Sequence, residues 1–287
     1  MLTKKAALLI LVVTAVLWST SGMLIKSISW NPMAIAAMRA IIAGITIYSL
    51  MPSLTFRDMT KVHVLAALCY ASLSVSFIAA MKLTTVANTL ALQFTAPIWV
   101  AILAPILLKE RTGPLDWLFM AIIFGGVLLF FQGGLTRHGF WGNILALVSG
   151  FFFGAQALCL RRIKHNSPAL AIILGNILTF IICAYFIGAP YPDLKGMLML
   201  LALGVFQMGL SYFLYTIAVP YVSSLELVVI TMVEPVLSPF WAFLFLRERP
   251  SGFALVGASI VLTSVLVWSL LKLRREKPPS VIKPLES

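Results

Sequence analysis

Ten runs of roughly 20 mostly apolar residues, with at most two charges each, follow one another along this chain, at 6–28, 32–51, 62–81, 85–108, 115–131, 139–161, 170–188, 197–216, 223–246 and 252–271. A bilayer core about 30 Å thick is crossed by about 20 residues of helix, and inside it each backbone polar group must be satisfied within its own segment. The pattern therefore predicts an all-α integral membrane protein with ten transmembrane helices. Composition agrees, because 61% hydrophobic and only 10% charged residues exclude a water-soluble body. The runs use up most of the 287 residues, so no separate soluble catalytic domain is expected. The tail at 272–287, KLRREKPPSVIKPLES, is charged and proline-rich and is expected to be disordered on the cytoplasmic membrane surface.

Charge sets the orientation. Lys and Arg number 21 against 9 Asp and Glu, without a basic stripe interleaved with aromatics, so the excess points to membrane topology and not to nucleic acid. With a cytoplasmic amino terminus, 14 of the 21 lie in inside segments, which predicts both termini in the cytoplasm and a multi-pass protein of the cell (inner) membrane. Lys4 and Lys5 before an apolar stretch imitate a secretory signal, but the stretch runs on to Lys26, beyond the 7–15 residues of a signal's apolar region. An uncleaved first span is the expectation.

The two halves match each other. FTAPIWVAILAPILLKERTG at 94–113 aligns without gaps on MVEPVLSPFWAFLFLRERPS at 232–251, at a constant offset of 138. Pro97 falls on Pro235, Lys109-Glu110-Arg111 on Arg247-Glu248-Arg249, and Asn88 on Glu226. The offset predicts two homologous units, 1–137 and 138–271, of five spans each. Because five is odd, the second unit enters the membrane from the opposite side, giving an inverted repeat with a pseudo-two-fold axis in the membrane plane. Inverted halves have two nearly equivalent packings, so a site between them can open alternately to either side.

These paired proline spans with their Glu-Arg turns, the opening AVLWSTSGMLIKSI at 15–28 and NPMAIAAMRAIIAG at 31–44 resemble the EamA-type members of the drug/metabolite transporter superfamily, over essentially the whole chain. The resemblance implies ten helices in two inverted EamA repeats and export or exchange of small metabolites such as amino acids. It implies no particular substrate.

A charged group within a span faces protein or water, not lipid. Glu234, mid-span and just before Pro235, is the sharpest candidate: it can bind a substrate amine or take up a proton, or serve as a structural carboxyl. Pro97, Pro105, Pro235 and Pro239 are hinge candidates, since proline removes a helix hydrogen bond and frees carbonyls. Glu226, eight residues before Glu234, reads either as the inner mouth of a path or as a helix-start carboxylate. Asn88 would mark the outer mouth, with Gln93 on the same span. Arg39, about 10 Å into the second span, reads as an anchor, a structural ion pair or a substrate-carboxylate site. Trp18 and Ser21 on the first span, Tyr70, Ser74 and Phe77 on the third, Gln156 on the sixth, and Gln207 and Tyr212 on the eighth complete the candidate lining. Together they suit a zwitterionic or aromatic small solute; each alone also reads as helix packing.

Three classes remain. A secondary transporter, with protons as one possible coupling ion, fits the architecture. A membrane-embedded enzyme lacks its chemistry: His63, His138 and His165 sit at span ends or loops, and the sequence has neither a metal-ligand motif nor a nucleophile elbow nor a cofactor loop. A passive channel would show rings of charge around a pore. The reading is therefore a non-enzymatic carrier whose partners are a small-molecule metabolite and the lipid bilayer, with oligomeric state left open.

Overall fold

The computed structural model describes residues 2–51, 54, 56–84, 86–130, 139–234, 237, 241 and 252–275. Among them there is helix and no strand. Seven helices are long and apolar enough to cross a membrane: α1 (Lys4–Ser27), α2 (Pro32–Leu50), α3 (Lys61–Leu83), α4 (Thr89–Leu107, preceded by a first turn from Val86), α6 (Phe140–Arg162), α7 (Pro168–Phe186) and α8 (Leu194–Tyr221). Three shorter apolar helices, α5 (Pro114–Leu129), α9 (Ser224–Val233) and α10 (Ser259–Leu273, within a helix that starts at Gly252), fall where the remaining apolar runs are.

The helix starts follow from local chemistry. The Thr3 hydroxyl accepts from Ala6 N at 3.2 Å, and the Asn31 carboxamide accepts from Met33 N at 2.9 Å with Pro32 in the first turn. Asp193 accepts from Gly196 N at 2.8 Å. At α9, Ser223 and Glu226 form a reciprocal capping box. The breaks are equally local. In α4 the run Val86–Gln93 stops and Ala96–Leu107 begins anew with Pro97 in its first turn, because Pro97 has no N–H for the Gln93 carbonyl and its ring crowds it. Pro105 lies inside the second piece; Pro235 and Pro239 lie outside the described residues. In α8 the stretch Leu203–Leu210 is π-helical, a wide turn that carries Gln207 and Met208.

Contacts at the helix ends sort the elements onto two faces of the bundle. At one face the start of α1 meets the start of α9 through Lys4 and Glu226 (2.9 Å), and the end of α6 meets the α4–α5 turn through Arg161 and Glu110 (2.7 Å). His63 at the start of α3 lies 2.8 Å from the Asn166 carbonyl just after α6. At the other face Lys82, ending α3, donates to the Ile28 carbonyl just after α1 at 3.2 Å. Thr84 donates to Asn143 at the start of α6 at 2.9 Å, and Trp30 to the Gly188 carbonyl after α7 at 3.0 Å.

Lipid offers no hydrophobic drive for helices to associate, so close packing must supply it. Gly175 of α7 sits on the ring of Tyr70 in α3; a Cβ there would come 2.7 Å from Tyr70 Cδ1. Gly150 of α6 lies against the break in α4, where a Cβ would meet the Gln93 carbonyl at 2.7 Å. Tyr70 is in turn packed on Tyr212 with ring centroids 5.0 Å apart. Gly175→Ala is therefore expected to destabilise the purified protein by about 1–3 kcal/mol through overpacking and to lower flux by displacing the tyrosine pair. A thermal melt in detergent matching wild type would show that Tyr70 gives way without cost.

Candidate functional site

Where α1, α2, α3, α4, α6 and α8 converge, the helices leave a cavity between the two halves of the chain. Its walls are Trp18, Arg39, Leu73, Ser74, Phe77 and Gln93 from the first half, and Phe153, Gln207, Met208, Tyr212 and Glu234 from the second. About 440 Å³ is unfilled there, counting the part that opens outward, but the centres of water-sized spheres reach only about 50 Å³. Clefts that hold drug-sized ligands measure roughly 300–1,000 Å³. In this conformation the site is contracted around room for a few waters.

One wall is aromatic and rigid. The Trp18 ring packs against Phe153 (5.7 Å, edge-on), Tyr212 (5.0 Å) and Tyr215 (5.3 Å). Its indole N–H donates to Ser211 Oγ at 2.8 Å, which fixes the ring and ties its polar edge to α8. Behind Tyr212, the Tyr70 hydroxyl donates to Asn176 Oδ1 at 2.9 Å, and the Asn176 amide donates to the Ile172 carbonyl at 2.9 Å.

The other wall is polar. Arg39 is 2% exposed, donates from Nη2 to Ser74 Oγ at 2.8 Å and pairs with no carboxylate among the described residues. A charged side chain at mid-membrane costs about 2.5–3.5 kcal/mol on insertion scales, so Arg39 is buried facing the cavity at a standing electrostatic cost. Several buried polar atoms have no protein hydrogen-bond partner among the described residues: Arg39 Nε, Gln207 Oε1, both ends of the Gln156 amide, Ser21 Oγ and Tyr215 Oη. Gln156 faces the Tyr212 hydroxyl without closing a bond of ordinary geometry. Native interiors keep few such groups; two of these residues, Arg39 and Gln207, line the cavity, where a polar guest or water can complete their bonding.

Eight of the residues singled out from sequence thus meet at this cavity: Trp18, Arg39, Ser74, Phe77, Gln93, Gln207, Tyr212 and Glu234. Tyr70, Gln156 and Ser21 are buried nearby without lining it. Of Asn88 only the backbone, in the first piece of α4, is described. Glu226 is elsewhere: it is 1% exposed, accepts from Ser223 N at 2.7 Å and Ser223 Oγ at 3.0 Å, and pairs with Lys4. It caps the start of α9 and does not line the cavity. Leu73, Phe153 and Met208 line the site without having been singled out; Phe153 sits in a Phe151-Phe152-Phe153 run whose inward member no sequence pattern identifies.

At the face that holds the start of α1, the halves are tied by a polar network. Arg161 Nε donates to Glu110 Oε1 at 2.7 Å, while Nη1 donates to the carbonyls of Val219 (3.0 Å) and Pro220 (3.1 Å). The other Glu110 oxygen accepts from Ser224 N at 2.9 Å and Ser224 Oγ at 2.6 Å. Burial pushes the Glu110 carboxyl up, but the bonds from Arg161 and Ser224 outweigh it and hold the group below the usual carboxylate range. The repeat exposes Glu110 in the sequence; its partners come from α6 and α9, more than 50 residues away in the chain, and carry no local signal.

A family model described as the EamA-like transporter family matches the chain twice, over residues 5–132 and 140–270. Among curated proteins, a riboflavin transporter of Rhizobium johnstonii is 25% identical over 229 residues, covering 78% of this chain and 74% of that protein. An uncharacterized transporter of Archaeoglobus fulgidus is 24% identical over 197 residues, covering 65% of this chain and 68% of that protein. A solved crystal structure superposes with a TM-score of 0.78 at 18% identity, over 95% of this chain and 99% of its own, a likeness of fold.

Proposed function

The chain belongs to the EamA-like transporter family and is a multi-pass membrane transporter, and from that premise we propose that it is a secondary carrier exporting or exchanging a small organic metabolite, such as an amino acid, by alternating access across the inner membrane. The observation that carries this reading is the central cavity, walled by both halves and lined by Arg39 and Gln207, each with a buried polar atom that has no hydrogen-bond partner among the described residues. Ten crossings in two inverted units, 1–137 and 138–271, are part of the proposal. What supports the inversion is that α1 begins at the face where α6 ends, while α6, the matching helix of the second unit, begins at the face where α1 ends. Both termini are placed in the cytoplasm by the Lys and Arg distribution.

The network of Glu110, Arg161 and Ser224 joins the end of the first unit's α4 to α6 and α9 of the second. In an alternating-access cycle such a tie holds that face shut and must break for the cavity to open there. Glu234, on the cavity wall, is the proposed coupling group for protons.

Counterflow in proteoliposomes tests the reading. Uptake of labelled solute is expected to accelerate when unlabelled solute is present on the far side, and the solute should be recovered chemically unchanged. The solute panel comes from a thermal-shift screen of amino acids and other metabolites, with riboflavin included because a relative is named for it. Uptake indifferent to solute on the far side would indicate a pore and sink the carrier mechanism; chemical conversion would indicate an enzyme.

A further inference from the structure

We infer that the solute recognised in the central cavity is a small planar acid: an aromatic carboxylate about one ring in size that gives its anion to Arg39, an N–H or O–H donor to Gln207 and its ring to the wall built on Trp18. The inference rests on the transporter reading and specifies its substrate class.

Arg39 defines the first element. Its guanidinium is buried, its Nη2 is steered by the neutral Ser74 hydroxyl at 2.8 Å, and its Nε has no partner among the described residues. Nη2 carries two hydrogens and Ser74 takes one. With the Nε hydrogen that leaves at least two guanidinium hydrogens to be met, which a carboxylate does with its two oxygens while also balancing the charge. A neutral carboxamide offers one acceptor to these hydrogens and leaves the charge uncompensated, and a cation is repelled.

Gln207 supplies the second. Its Oε1 is buried and has no partner among the described residues, and an amide oxygen only accepts, so a guest that brings a hydrogen-bond donor completes it. A halide or another anion without a donor satisfies Arg39 and leaves Gln207 bare. The third element is the wall. With the indole N–H committed to Ser211 and the ring held by Phe153, Tyr212 and Tyr215, Trp18 has only carbon surface to offer. Flat aromatic surface rewards a flat partner. In a cavity this contracted, a single ring demands less separation of the helices than a fused system.

The test uses the full-length protein in detergent, read by thermal shift and tryptophan fluorescence. The probes are 4-aminobenzoate, which has ring, anion and donor, and three analogues that each lack one: benzoate, 4-aminobenzamide and 4-hydroxycyclohexanecarboxylate, whose O–H donor carries no charge. The aminobenzoate is expected to bind at least about tenfold more tightly than each analogue. Arg39→Lys, which keeps the charge and loses the planar donor set, is expected to reduce the preference for acid over amide severalfold without abolishing it. Gln207→Leu is expected to remove only the preference of aminobenzoate over benzoate. Equal binding of acid and amide, or failure of every acid to bind wild type, overturns the inference. If Arg39→Lys does not fold, the wild-type series and Gln207→Leu still decide. Counterflow of some other solute with no binding of these acids would leave the carrier standing and reject only the substrate class.

Discussion

Glu234→Gln is expected to insert and fold like the wild type and to lose proton-driven flux down to the level of protein-free liposomes. The substitution keeps the size of a side chain that is 7% exposed on the cavity wall, so the shape of that wall is preserved. What it removes is the ability to change charge. A carrier that uses the carboxyl as its proton site then has no way to link an imposed pH gradient to solute movement, while exchange of solute for solute, which needs no net proton transfer, continues. Two measurements read this. Uptake driven by an acid-outside or acid-inside gradient should vanish, and the pH profile of exchange should flatten. Wild-type gradient dependence in the variant would reject the coupling role and return Glu234 to a structural carboxyl.

Glu110→Gln is expected to loosen the face that holds the start of α1. The amide keeps one acceptor for Ser224 but gives up the charge that Arg161 meets at 2.7 Å. Double-mutant cycles with Arg161→Gln should return a coupling of roughly 0.5–3 kcal/mol, as contacting groups in one network do. With Val222→Cys as reporter in a cysteine-free background, labelling by a membrane-impermeant maleimide should speed up when Glu110 is changed. The pH dependence has a definite sign. Closure of the tie depresses the Glu110 pKa from its ordinary 4.5, so the tie is fully effective above that value and weakens as pH falls through the depressed one. Below the ordinary carboxylate range the labelling rates of wild type and Glu110→Gln, compared at the same pH so that the loss of reactive thiolate cancels, should therefore converge. Equal rates at neutral pH as well would show that the tie does not gate this face.

The apolar runs were legible because bilayer thickness fixes helix length whatever the rest of the sequence does. The described helices fall within a few residues of them at α2, α3 and α6. The break in α4 was legible from Pro97. Facing was not, because these helices are apolar all round and the direction of a side chain is set by neighbours distant in the chain. Trp18, Ser74 and Phe77 could be picked as polar or aromatic interruptions, whereas Phe153 is indistinguishable from the two phenylalanines before it. Glu226 shows a signal carried by spacing: Ser223-Ser-Leu-Glu226 reads as a capping box, and that cap holds the carboxylate. Glu110 announced itself through the repeat, but nothing adjacent in sequence points to Arg161 or Ser224 as its partners.

The wide turn of α8 has a mechanical consequence. A segment wound from i to i+5 holds one residue more than regular winding allows, and that surplus behaves as a dislocation that can be passed along the rod without unzipping it. Each step of its travel swings the residue it passes by about 100° around the axis. Gln207 and Met208 ride on this slack, so a modest glide of the defect can turn them toward or away from the guest while both tips of α8 stay where they are anchored.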